Sequence, residues 1–433
     1  MRKPLGRTLW IIVGLVSAVA LTGALALVMY SAPHRAAASP TTLYVGASAG
    51  ADTGCASPGY TTIQDAVDAA TAGDTVYLCA SGSPYAQSVD ISKSLTLTGD
   101  AGATIQAPAV WPSQSLPAEF AAHSLEAPQA IVFIWGQQTT ATVRGLTISG
   151  PFTTSHGCAT ETFGVLALDG ATATISGNTV SNISDPVSSG LLGCQHGLAI
   201  LVGAYYWYAN NGSSVAINDA AHATIAGNTV SGYQKNGITV KGAGTTASIS
   251  GNHVYGSNRD ANYSPAIGQN GIEVAEGATA QVVRNYVAGN TYTGPYFASA
   301  SGIVIFGGCG LGYATNVQVV GNTLVNNDVG VYDDNYADDC VNPAPVRTND
   351  KVTNNTITND AVTNVGAFSL GSANYTGYQA GVSEQGNGDK IINNDISGAG
   401  YAAQQASGGP FVLPIDTISA PTIGPKTHAN QLG

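Results

Sequence analysis

Charge is scarce in this chain: Asp, Glu, Lys and Arg together make up 9% of its 433 residues. Lysine and arginine number only 14, and four of them (Arg2, Lys3, Arg7, Arg35) stand in the first 38 residues, which hold no acid. The rest carries 10 basic against 26 acidic residues, a formal charge near −16. So acidic a body is a poor partner for nucleic acid or an anionic membrane surface. The histidines are scattered, and neither a Ser-His-Asp arrangement nor a Gly-rich phosphate loop is present. Glycine, by contrast, is abundant at 54 of 433, which suits a turn-rich repeat and argues against a helical protein.

The repeat is plainest between Ser214 and Gly256. Ala223-Thr224-Ile225-Ala226-Gly227-Asn228-Thr229-Val230 is answered by Ala247-Ser248-Ile249-Ser250-Gly251-Asn252-His253-Val254, 24 residues on. Between them Asn236-Gly237-Ile238-Thr239-Val240 alternates apolar and polar residues. A period of this length signals a solenoid, here with three short strands per unit. The Asn recurs at Asn178, Asn228, Asn252, Asn285, Asn322, Asn355 and Asn394, with Leu146 in its place earlier. A second landmark, Gly before Ile, Leu or Val, falls at Gly164, Gly197, Gly237, Gly271, Gly302, Gly330 and Gly381.

One such unit cannot bury its apolar residues alone, but stacked units share a continuous core. β-Branched Ile and Val suit the inner face of a pleated strand. A tight corner needs a residue with positive φ, which Asn tolerates better than any residue but Gly, and stacked Asn amides bond to one another. On these residues the chain resembles the right-handed parallel β-helix proteins of the pectin-lyase-like superfamily, with an asparagine ladder, over roughly residues 60 to 415. The resemblance implies an all-β fold, three strands per turn, and an amphipathic helix capping the N-terminal end.

Residues 1–39 read as a signal peptide or signal anchor: a basic start, an uncharged apolar run from Leu9 to Tyr30, then Ala36-Ala37-Ala38. Cleaved or not, it places the body outside the cell, in contact with membrane only through this segment if uncleaved. Residues 40–106 read as the cap and first turns, 107–415 as the β-helix and 416–433 as a tail. Thr61-Thr62-Ile63-Gln64 reads as a capping box opening a helix with Ile63, Ala66, Val67 and Ala70 on one face. Six cysteines allow 15 pairings. Equivalent loops of successive turns give Cys158–Cys194 and Cys309–Cys340, and Cys55 and Cys79, which bracket the cap helix, form the third expected pair. For Cys158–Cys194, His156 and His196 beside the cysteines leave a Cys₂His₂ metal site as the alternative.

Long insertions flank the Gly-Ile strand on both sides, which would wall a groove along it. In the resembling enzymes that outer face carries the active site. Counting from each Gly, the second and fourth residues point outward: Leu166, Ala199, Thr239, Glu273, Val304, Tyr332, Ser383, and Leu168, Leu201, Lys241, Ala275, Phe306, Asp334, Gln385. Lys241 is their only base, and a lyase would use it on a uronate C5 proton. Glu273 beside it would raise that lysine's pKa, and the two would otherwise form an exposed ion pair between rungs. Two carboxylates of the loop Asp333 to Asp339 are also the equipment of a glycosidase, so Lys241, Glu273 and Asp334 are the catalytic candidates. The acidic run Asp333, Asp334, Asp338, Asp339 is the place for Ca²⁺. Tyr206, Trp207, Tyr292, Tyr296, Phe306 and Tyr332 offer rings for stacking on sugars. No obvious Asp-plus-Arg cluster marks the strand, and no named lyase, epimerase or galacturonase motif matches.

The reading is therefore an exported, monomeric β-helix that binds or degrades polysaccharide or cell-surface glycan, by lyase or hydrolase chemistry. The other reading is a non-catalytic adhesin or spacer. The repeat itself carries a test. Ile225→Asp or Ile249→Asp should abolish folding, read as loss of a cooperative melt, because a carboxylate in the shared core has no partner.

Overall fold

Alternating apolar and polar residues in runs of three to seven, broken by Gly and Asn, bury their Ile and Val only against copies of the same strand. The computed structural model shows that outcome. It describes residues 39–112, 129–152, 158, 161–203, 205–208, 214–217, 220–257, 267–294, 296–337, 339, 342–417, 422–423 and 428–429. The apolar run at 9–30 lies outside them. The contacts divide the chain into Met1–Ser39 and Pro40–Gly433, and the second unit holds all the described strands.

Three parallel sheets of 10, 12 and 11 strands run along that unit, among the described residues. The chain enters them cyclically. His222–Ala226 lies in the 12-stranded sheet, Thr229–Ser231 in the 11-stranded one and Asn236–Lys241 in the 10-stranded one; Thr246–Ser250 then returns to the first of these. This is a right-handed parallel β-helix, the hand that strand crossovers take. Register is strict: Ile175, Ile225, Ile249 and Val282 pair in succession, each with no exposed surface. Both strands at Thr422–Ile423 and His428–Ala429 join the sheets, so the coil runs on past the expected boundary at residue 415.

The ladder is built from buried amides. Each Asn from Asn178 to Asn355 donates from Nδ2 to Oδ1 of the next at 2.9–3.1 Å. The same Oδ1 accepts the preceding Asn's backbone N–H at 2.9–3.0 Å. Nδ2 also reaches a strand carbonyl one coil back, as Asn252 does to Ile225 at 2.9 Å. These asparagines do not hold the positive φ expected of them. It falls one residue earlier, at Gly177, Gly227, Gly251, Arg284, Gly321, Asn354 and Asn393, with φ from 53° to 65°. Asn occupies the corner for its bonds, not for its backbone freedom.

The landmark glycines have a different cause. A Cβ on Gly237 would stand 2.5 Å from the Gly271 carbonyl oxygen, and on Gly271 2.6 Å from that of Gly302. Gly197 is not one of them: Val165 pairs with Ile200 and Leu166 with Leu201, so Ala199 takes the column and Gly197 makes the turn before it, with φ of 84°. Outward in that coil are therefore Leu201 and Gly203, not Ala199 and Leu201.

One α-helix is described, α1 (Ile63–Ala69), and it buries Ile63, Ala66 and Val67. Its N-cap is Thr62, accepting from Asp65 N–H, one residue later than the expected box. Gln64 instead bonds both backbone groups of Asp90, at 2.8 and 3.2 Å. Cys55–Cys79 and Cys158–Cys194 are disulfides, which removes the Cys₂His₂ alternative. Cys309 is also disulfide-bonded, and Cys340 lies outside the described residues.

Asn252→Ala should cost about 2–6 kcal/mol in urea unfolding, because it removes the partner of the buried Asn228 N–H and of the Ile225 C=O, roughly 1–3 kcal/mol each. Thr224→Ala, on the exposed face of a neighbouring strand, should stay within about 0.5 kcal/mol.

Candidate functional site

The outer face of the 10-stranded sheet changes character along the coil. Early on, Phe133, Phe163, Leu166, Leu168 and Leu201 form an apolar cluster with no exposed surface. Late on, Tyr375, Tyr378 and Phe411 cluster with Phe368, under the strand pair Phe368–Leu370 and Ala373–Tyr375. Between these clusters, from Asn236 to Asp334, the groove expected along the whole face carries charged and amide side chains. There a cavity of about 300 Å³ opens, lined by Lys241, Glu273, Glu276, Phe306, Tyr332 and Asp334 among others.

Strand register explains the grouping. Lys241, Ala275, Phe306 and Asp334 stand in one column, Thr239, Glu273, Val304 and Tyr332 in the next. Three rungs separate Lys241 from Asp334, about 14 Å of backbone. All three residues expected to be catalytic therefore line one cavity, with Phe306 and Val304 as its apolar floor.

Lys241 is not the free base a lyase requires. Its Nζ lies 2.9 Å from Glu276 Oε1, and Glu276 was not singled out from sequence. Burial alone would lower the ammonium's pKa, but Glu276 and then Glu273 outweigh it and raise it. Burial raises Glu276 as well, against the pull of Lys241. Glu273 Oε2 accepts from Asn236 Nδ2 at 2.7 Å and from Asn270 Nδ2 at 3.3 Å. Both asparagines precede a landmark Gly, so the repeated Asn-Gly-Ile at 236–238 and 270–272 was a legible signal. At the far wall, burial pushes Asp334 from 3.8 up to about 7, although Tyr336 and Tyr332 donate to it. The residue as a whole is half-buried; its Oδ1 is sealed from solvent and has no partner.

Other expected residues separate. Asp333 and Asp334 are neighbours on one strand and so face opposite sides of the sheet. Asp333 is 1% exposed, inside the coil, while Asp334 is in the cavity. Asp339 is exposed and bonded to Asn342, and Asp338 lies outside the described residues. Asp333 and Asp334 therefore do not face one ion. Tyr292 is buried, receiving Tyr296 N–H on its hydroxyl, so it offers no stacking face. Tyr296 is exposed and outside the cavity wall. Tyr206 and Trp207 lie in the strand Tyr205–Tyr208, paired antiparallel with Ser214–Ile217, and their side chains lie outside the described residues.

A larger cavity, about 690 Å³, lies beside α1 and is lined by Gln64, Asp90, Lys93 and Trp135 among others. Trp135 there donates to Asp90, and Lys93 to the carbonyls of Asp68 and Ala70 at the end of α1.

No family model matches the chain, and no curated protein matches its sequence. Among solved structures, the Dettilon tailspike protein gp208 aligns with a TM-score of 0.45 and 16% identity over 84% of this chain. This chain spans 65% of that one's length. The complex of XylC with xylose aligns with a TM-score of 0.42 and 10% identity, over 87% of this chain and 69% of that one. For alginate lyase from Paenibacillus sp. FPU-7 the TM-score is 0.36 and the identity 14%, over 90% and 99%. The fold follows from the three sheets and not from these likenesses.

Asp334 carries a pH test. Between about 4 and about 7 the folded chain keeps a proton there that the unfolded chain releases, so stability falls as pH rises through that window. Asp334→Asn should flatten the fall in melting temperature across it. An unchanged slope would mean that the carboxyl ionises as freely in the folded chain as in the unfolded one.

Proposed function

We propose that this chain is an exported β-helix protein that binds polysaccharide on the outer face of its 10-stranded sheet and hydrolyses it between Glu273 and Asp334. The coil has three strands per turn, with α1 closing its N-terminal end. Successive strands entering three sheets, and the buried Ile63, Ala66 and Val67, support this. Disulfide bonding and the basic-then-apolar start at 1–39 support export.

The observation that carries the reading is the pair of carboxylates on opposite sides of one open, apolar-floored cavity. Glycoside hydrolysis uses such a pair, one protonating the leaving oxygen and the other activating water or stabilising the cation that forms. Asp334, buried and half-protonated near neutrality, takes the acid role. Glu273, oriented by Asn236 and Asn270, takes the other. Phe306 and Tyr332 offer apolar surface to a sugar face. The Lys241–Glu276 pair at the cavity's other end binds hydroxyls. Elimination is disfavoured because Lys241 is held as an ammonium.

A panel of neutral and acidic polysaccharides, read for reducing ends and for ultraviolet absorbance of unsaturated ends, tests this. Reducing ends should rise without the absorbance. Asp334→Asn should lower kcat by about 10²–10⁴-fold while substrate still binds. Unsaturated ends would make it a lyase, and binding without cleavage would make it an adhesin.

A further inference from the structure

The inner face of the 10-stranded sheet is an aliphatic column that ends abruptly. Ala167, Val202, Val240, Val274 and Ile305 follow one another in register with no exposed surface. Ile305 then pairs with Asp333, and Asp333 with Glu384. Like charges directly opposite on adjacent strands repel even at a surface. These two are 1% and 2% exposed, where an uncompensated charge is far more costly. The next corner adds Asp350 and Asp389, 1% and 2% exposed. Two successive coils thus each bring two carboxyls to the same interior point.

The described surroundings of Asp333, Asp350 and Asp389 orient them through amide, hydroxyl and backbone donors. Asp389 Oδ1 accepts Asp350 N–H at 2.6 Å, Thr348 Oγ1 lies 2.8 and 3.0 Å from the two Asp389 oxygens, and Asp350 Oδ1 accepts Val317 N–H at 2.7 Å. Asn335 Nδ2 bridges Asp333 Oδ1 and Asp350 Oδ2, both at 3.1 Å. Among the described residues no lysine or arginine pairs with Asp333, Asp350 or Asp389. Asp333 Oδ2 is sealed from solvent and has no hydrogen-bond partner. One carboxylate oxygen each from Asp333, Glu384 and Asp389 lie within 4.8 Å of one another. Two Ca–O bonds of about 2.4 Å placed end to end span that distance.

We infer that a calcium ion is held inside the coil by Asp333, Glu384 and Asp389, with Asp350 completing its oxygen shell. Carboxylates only, in an irregular cluster drawn from two coils, suit calcium; magnesium demands a near-ideal octahedron with retained waters. The ion neutralises the charged break in this column. It also pins the strand Val329–Asn335 from behind, so Tyr332 and Asp334 present their side chains to the cavity from a fixed backbone. The inference does not depend on the glycan reading.

The test uses the full chain without its first 39 residues' participation being required: metal content by mass spectrometry, and melting temperature before and after exhaustive chelation. Purified protein should carry about one calcium per chain. Chelation should lower the melting temperature by roughly 5 °C or more, with calcium restoring it and magnesium restoring less. The double variant Glu384→Gln, Asp389→Asn should bind no calcium and melt alike with and without it, whereas Asp334→Asn should keep the calcium shift. The inference is overturned if the wild-type protein holds no metal and chelation leaves its melting unchanged; shared protons would then neutralise the cluster. It is equally overturned if Asp334→Asn, and not the double variant, abolishes the shift, which would place the ion in the cavity. Should the double variant not fold, the wild-type metal content and chelation result decide alone.

Discussion

Every coil of this protein must hand its backbone hydrogen bonds to the next coil, and that requirement governs everything else in it. Along the strands the sheet ladders meet it automatically. At the corners the chain turns and the ladder would break, leaving buried N–H and C=O groups orphaned at roughly 1–3 kcal/mol each. The stacked asparagines repair the break, one amide serving a side chain, a backbone N–H and a strand carbonyl at once. The residue before each Asn takes the left-handed conformation, which frees the Asn itself for bonding. The glycine column meets the same constraint elsewhere, where a Cβ would strike the next coil's carbonyl.

Because the coil is periodic, whatever breaks the period stands out. On the outer face the break is the polar window between two buried apolar clusters, and the cavity opens there. On the inner face it is the pair Asp333 and Glu384 in an otherwise aliphatic column. The two breaks share one strand, Val329–Asn335, whose consecutive residues alternate between cavity and interior. A two-residue period lets one short segment carry both jobs without either disturbing the other's packing.

Electrostatics sorts the cavity into two ends. Lys241, Glu276 and Glu273 form a charged end in which cation and carboxylates hold one another, and the amides of Asn236 and Asn270 fix Glu273. The other end has Asp334 beside tyrosines, where burial outweighs the hydrogen bonds of Tyr336 and Tyr332 and its pKa climbs to about 7. Acidic groups of the same type thus sit in opposite environments a few rungs apart, which is how carboxyl groups acquire different roles.

Much of this was legible in the residues alone. The Ala-Thr-Ile-x-Gly-Asn unit determined the parallel coil, since only stacked copies bury alternating Ile and Val. The two-residue period then placed Lys241, Glu273, Phe306, Tyr332 and Asp334 on one outer face; turn placement paired Cys158 with Cys194, and the positions of Cys55 and Cys79 either side of the cap helix paired those two. The tertiary structure alone decided the rest. Register shifted the column from Gly197 to Ala199, because insertions change where a coil re-enters the sheet. Tyr292 sank into the interior, Lys241 found Glu276 in the turn after the neighbouring strand, and Asp333 joined Glu384 and Asp389 from the following coil. A local period states which way a side chain points; which coil's loop it then meets depends on how the inserted segments fold back, and nothing in the repeat encodes that.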